Sequence, residues 1–115
     1  MDIKSLLTGL GFFTIAHILT WFQLNGQFIN SWFRDNSLVV VLMGIPISFT
    51  YIYATKYVYE AFGGLVWPGR FIGFSVGMVI FAIFTSTIMG EGLSLKTLVS
   101  LALCICLVAI QVLWK

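Results

Sequence analysis

Charge is scarce in this sequence. Six Lys+Arg and four Asp+Glu residues make up 9% of the 115 positions, against roughly 25% in an ordinary soluble domain, while 60% of the chain is hydrophobic. So short a chain has too few charged side chains to cover that much apolar surface, which excludes a water-soluble globular domain and makes lipid the expected solvent. The cations are also dispersed. With a net charge of +2 and no basic stripe, nothing here would neutralise a run of phosphates, and no nucleic-acid partner is expected.

Histidine occurs once, at His17, and the acids Asp2, Asp35, Glu60 and Glu91 all lie outside the long uncharged runs. Neither a Ser/His/Asp set nor a carboxylate pair can be assembled from that inventory, so the chain is not expected to be an enzyme. Cys104 and Cys106 stand two apart, which on a helix turns them about 200° from one another. They can neither bridge nor share a metal, and no metal or cofactor is expected.

What the sequence does contain is uncharged length. Ser5 to Phe33, Asn36 to Thr55, Phe71 to Gly90 and Thr97 to Trp114 carry no Asp, Glu, Lys or Arg. About 20 apolar residues at 1.5 Å each cross the roughly 30 Å hydrocarbon core, so the runs predict an all-α membrane protein of four transmembrane helices in one compact bundle. The expected helices are 4–24, 37–58, 69–89 and 95–114, forming a single domain over 1–115. The first run is too long for a signal-peptide core and is expected to be retained. Residues 25–36 alternate polar and aromatic side chains, and Phe28, Ile29, Trp32 and Phe33 would share one helical face. That pattern predicts an interfacial segment at headgroup level. Ser94 is expected to cap the last helix.

Lys4, Lys56, Arg70 and Lys115 fall on one side of the predicted topology and Arg34 and Lys96 on the other, a bias that favours cytoplasmic termini. Within the spans, His17 is the one ionisable group near mid-membrane. It reads either as a neutral histidine bonded to a neighbouring helix or as a functional group, with Thr14, Trp21 and Leu24 on its helical face. The second helix carries Gly44, Ser48, Tyr51 and Thr55 on one side, and its Pro46 removes a backbone donor and favours a kink. This face either lines a cavity or supplies hydroxyls between helices.

Gly69, Gly73 and Gly77 recur every fourth residue along the third helix. Such a ridge lets two backbones approach closely, within a protomer or between two. The fourth helix carries Thr97, Ser100, Cys104 and Gln111 along one line, which reads as helix association. Trp32, Trp67 and Trp114 fall near span ends, as an aromatic belt requires.

From Ser48 to Leu113 the order of features resembles the small multidrug resistance proteins within the drug/metabolite transporter superfamily. The residues that carry it are Ser48-Phe49, Tyr53-Ala54, Lys56, Leu65-Val66-Trp67-Pro68-Gly69 and Met89-Gly90-Glu91-Gly92-Leu93-Ser94. The resemblance implies a bacterial inner-membrane protein whose four-helix units pair, often antiparallel. It also implies a substrate cavity between the first three helices, with an aromatic at the Trp67 position in its lining and the fourth helix holding the dimer. One feature departs from the family. The first helix has no acid after Asp2, and His17 stands about where the family's membrane-embedded glutamate is expected. A histidine, neutral or positive, repels a lipophilic cation that a glutamate would attract, so cation/proton antiport does not carry over.

Two readings follow. In the first, the chain is a small transporter or export subunit in the lipid bilayer, working as a homodimer or with a related subunit. It moves a small, amphipathic solute past Thr14, His17, Trp21, Ser48, Tyr51 and Trp67, with Gly69, Gly73, Gly77, Ser100 and Cys104 packing helices or the dimer. In the second, it is a non-transporting structural or lipid-interacting subunit with the same fold. The lack of an embedded acid motivates the second, since a coupled transporter needs a group whose charge changes during its cycle.

Overall fold

The computed structural model describes residues 1–114. Asp2 starts the first helix, α1 (Ile3–Asn25), by accepting the backbone N–H groups of Lys4 at 3.1 Å and Ser5 at 3.3 Å and the Ser5 hydroxyl at 2.8 Å. The Ser5 hydroxyl, then the Ser5 and Lys4 N–H groups, hold the Asp2 carboxyl below its ordinary range. A 3₁₀ turn over Gly26–Phe28 and a short helix, α2 (Ser31–Asp35), form the first connection. Asn30 caps α2 through the Trp32 N–H, and Phe28, Ile29 and Trp32 lie exposed.

The second span is broken. It comprises α3 (Ser37–Leu42) and α4 (Gly44–Ala61), separated at Met43. Pro46 has no N–H to offer the Leu42 carbonyl, so the regular ladder cannot run through this point. Met43 turns back onto Val40 instead, and the Gln23 side chain of α1 donates to the same Val40 carbonyl at 3.3 Å. The Gln23 bond ties α1 to the second span at this break.

Gly63 and Gly64 take φ of +66° and +90°, which lets the chain turn sharply into α5 (Trp67–Ile88). Ser94 caps α6 (Leu95–Leu113) by accepting the Thr97 N–H at 3.2 Å. The spans Ile3–Phe28, Ser37–Ala61, Trp67–Ile88 and Leu95–Leu113 are each long and apolar enough to cross a bilayer. The chain is therefore an integral membrane protein of four packed helical spans.

The packing is uneven. α1 lies between α4 and α5 and packs most closely on α4, while α6 rests chiefly against α5. Leu6 and Phe13 of α1 meet Ala54, Val58 and Ala61 of α4 and Ile72 of α5 in the core. The molecule measures 47 × 36 × 18 Å, so one dimension is only about two helices thick.

Small residues set these approaches. A Cβ on Gly9 would lie 2.6 Å from Val58 Cγ2 and 3.1 Å from the Val58 backbone nitrogen, so α1 and α4 touch almost backbone to backbone there. On the glycine ridge of α5, Gly73 faces the Phe13 ring at 2.8 Å and Gly77 faces the His17 ring at 2.5 Å by the same measure, whereas Gly69 keeps an ordinary 3.6 Å to Val58. The ridge serves contacts inside the protomer. Gly9 carries no repeat, which is why sequence spacing did not single it out.

Candidate functional site

His17 is the centre of the only polar cluster that joins three spans among the described residues. Its Nε2 lies 2.8 Å from the Gly73 carbonyl of α5, and its Nδ1 lies 3.1 Å from the Tyr51 hydroxyl of α4. A carbonyl only accepts, so Nε2 carries the hydrogen; in the neutral ring Nδ1 then accepts from the Tyr51 O–H. The Thr20 hydroxyl donates to the Ala16 carbonyl at 2.8 Å and sits 3.3 Å from the Tyr51 oxygen.

The hydrogen bonds of this chain of groups can be met with or without a second proton on the ring. If Nδ1 is protonated it donates to the Tyr51 oxygen, and the Tyr51 O–H turns to the Thr20 oxygen while Thr20 keeps Ala16. Every hydrogen has an acceptor in both states. A charge can thus arrive at mid-span without stranding a polar group.

The imidazole also stands between two cavities. One is a groove of about 520 Å³ between α4 and α5, floored by Phe13 and His17 and walled by Tyr51, Thr55, Val66, Gly69, Arg70, Gly73 and Phe74. The other, about 170 Å³, runs on along α1 toward the opposite end, past Thr20, Trp21, Leu24 and Asn25, with Gly77 and Phe81 of α5. His17 lines both. Gly77 leaves no room for a side chain behind the ring, so the imidazole packs directly on α5 where it lines both spaces.

Of the residues singled out in sequence, the structure gathers His17, Tyr51, Thr55, Gly69 and Gly73 at the groove and adds Trp21, Leu24 and Gly77 at the smaller cavity. Trp21 is buried and donates its indole N–H to the Thr85 hydroxyl of α5 at 3.1 Å, fixing the far end of the α1/α5 contact. Thr14 lies elsewhere. Its hydroxyl bonds the Leu10 carbonyl, and it lines a separate, nearly apolar groove of about 630 Å³ with Ser75, Val79, Cys104 and Val108. Ser48 is exposed on α4 and lines neither the groove nor the smaller cavity. Trp67 is 73% exposed and stacks on Phe71 at 6.1 Å, outside the groove. Its position suits a membrane-interface aromatic.

On α6, buried Cys104 offers its carbonyl to the Ser75 hydroxyl at 3.1 Å, while Ser100 is exposed and bonds its own helix at Lys96. Sequence reasoning missed Phe13, Thr20 and Arg70. Thr20 is three residues after His17 and so shares its face, and Arg70 precedes Gly73 by three and so flanks the ridge. Both signals were present, but Arg70 reads as an end charge until α5 is seen against α4. Compared with models of known protein families, with curated proteins and with solved structures, the chain finds no match.

Proposed function

We propose that this chain is a small membrane transporter or export subunit that handles an amphipathic solute in the α4/α5 groove and works as a dimer. The observation that carries the reading is His17 itself, a titratable side chain that lines two cavities and whose hydrogen bonds can be met in either protonation state. A titratable group that borders two cavities suits a cycle in which a change of charge or ligation shifts a conformational equilibrium. The shallow 18 Å dimension supports pairing, because a second copy would roof an otherwise open groove. The cation bias supports insertion with both termini in the cytoplasm, and the resemblance over Ser48 to Leu113 supports a bacterial inner membrane.

A second reading, a non-transporting accessory subunit that binds lipid, is favoured by the nearly apolar groove along α1, α5 and α6, which suits an acyl chain. One comparison separates the two. Under the transport reading, solute binding to purified protein varies between pH 5 and 8, and His17→Ala removes that variation. Under the accessory reading the substitution alters stability alone. A flat pH profile in the unmodified protein would overturn the transport reading.

A further inference from the structure

The α4/α5 groove has a charge of one sign. Arg70 lines it and no acidic residue does; Lys56 of α4, whose Nζ lies 5.3 Å from the Tyr57 ring centre, is not in the lining. Among the described residues the only ion pair joins Arg34 to Asp35 in the first connection, and none of their carboxylates pairs with the Arg70 guanidinium. Arg70 is an exposed residue in the first turn of α5, where a cation at the end of a span reaches the interface, and it is among the residues that line the groove.

The neighbouring chemistry is consistent with an anion held there. Arg70 precedes Gly73 by three residues, about 4.5 Å along the helix axis, and the Gly73 carbonyl is bonded to His17. The Tyr51 and Thr55 hydroxyls stand on the α4 wall, and Phe13 and Phe74 supply apolar rings. A guanidinium presents paired N–H donors matched to the two oxygens of a carboxylate or phosphate. A positive charge beside apolar rings, with no acid in the lining, favours an anion and disfavours a cation. The groove, at about 520 Å³, falls within the range of small-molecule sites.

We infer that the α4/α5 groove selects amphipathic oxyanions, with a carboxylate or phosphate head on Arg70 and an apolar body against Phe13 and Phe74. This inference rests on the solute-handling reading above and assigns it a substrate class. It reverses the charge preference that an embedded glutamate would impose.

The test uses the full chain in neutral-lipid nanodiscs and four probes that differ only in the head: naphthyl phosphate, naphthalene carboxylate, naphthylmethanol and naphthylmethylammonium. Equilibrium dialysis against protein-free nanodiscs corrects for partition into lipid. The phosphate and carboxylate should bind about 10- to 100-fold more tightly than the alcohol, and the ammonium most weakly. Arg70→Gln should bring both anions to the level of the alcohol, and Arg70→Lys should restore part of the preference, which separates charge from fold. Displacement of naphthyl phosphate by phosphatidate in the disc identifies a lipid headgroup as the source of the oxyanion, and its persistence identifies a water-borne solute; the class stands in both cases. Equal binding of alcohol and anions, or a preference for the ammonium, overturns the oxyanion class and leaves solute handling intact. No probe bound above protein-free discs overturns both.

Discussion

The first and last spans make opposite use of similar composition. Both are long apolar helices, yet α1 buries Leu6, Gly9, Phe13, Ala16 and Trp21, whereas α6 buries Cys104 alone. In water such a difference would reflect hydrophobicity. In lipid it cannot, because acyl chains solvate leucine as well as a neighbouring helix does. What distinguishes α1 is small residues at its contacts and polar side chains that reach other spans: Gly9 against Val58, His17 to Tyr51 and Gly73, Trp21 to Thr85, and Gln23 to Val40. For α6 the corresponding cross-span bond is the single one from Ser75 to the Cys104 carbonyl.

Substitutions can break this contrast at its strongest point. Gly9→Leu should separate α1 from α4 and destabilise the protomer by about 3 kcal/mol or more, since the obstacle is backbone as well as a side chain. Ala102→Leu on the exposed face of α6 should leave protomer stability within about 0.5 kcal/mol. Unfolding in mixed micelles, followed by tryptophan fluorescence, compares the two; equal losses would show that α1 is no more central than α6.

A smaller effect sharpens the role of polar contacts. Thr85→Val keeps the shape but leaves the buried Trp21 indole N–H without its acceptor, and should cost about 1 kcal/mol in the same assay. A blue-shifted Trp21 emission with unchanged stability would show that the bond orients the ring without contributing to packing.

The smallest effect lies at the start of α1. The Asp2 carboxyl is held below its ordinary value of 3.8, chiefly by the Ser5 hydroxyl. A depressed carboxyl stabilises the folded state above its unfolded value, and that contribution fades as pH falls through the lower folded value. Amide exchange at Lys4 and Ser5, measured relative to mid-helix amides, should therefore rise at pH below about 3.8, and Asp2→Ala should remove the pH dependence. Exchange that stays flat with pH in the unmodified chain would deny the cap any part in anchoring α1.

The number of spans, their approximate limits and the Ser94 cap were legible because each follows from local chemistry: a run without charge long enough to cross the bilayer, or a hydroxyl before a helix. Pro46 also signalled an irregularity, although the structure separates α3 from α4 at Met43 and does not merely bend one helix. The polar cluster was legible in part. His17 and Tyr51 each stood out on their own helices, but no periodicity within one span states which face of another it meets. Thr14 and Ser48 were chosen by the same local logic as His17 and Trp67 by the resemblance, and the packing turned all three to other surfaces.

The sequence alone determined that this chain lives in lipid, crosses it four times and carries one histidine near the middle, since solvent preference and helix length are properties of contiguous residues. Only the tertiary structure decided that α1 is the hub, that Gly77 backs the His17 ring, and that Arg70 overlooks the same groove as Tyr51. Those facts depend on the relative rotation and depth of helices, which a few close backbone approaches and side-chain bonds select among arrangements that lipid solvates almost equally well.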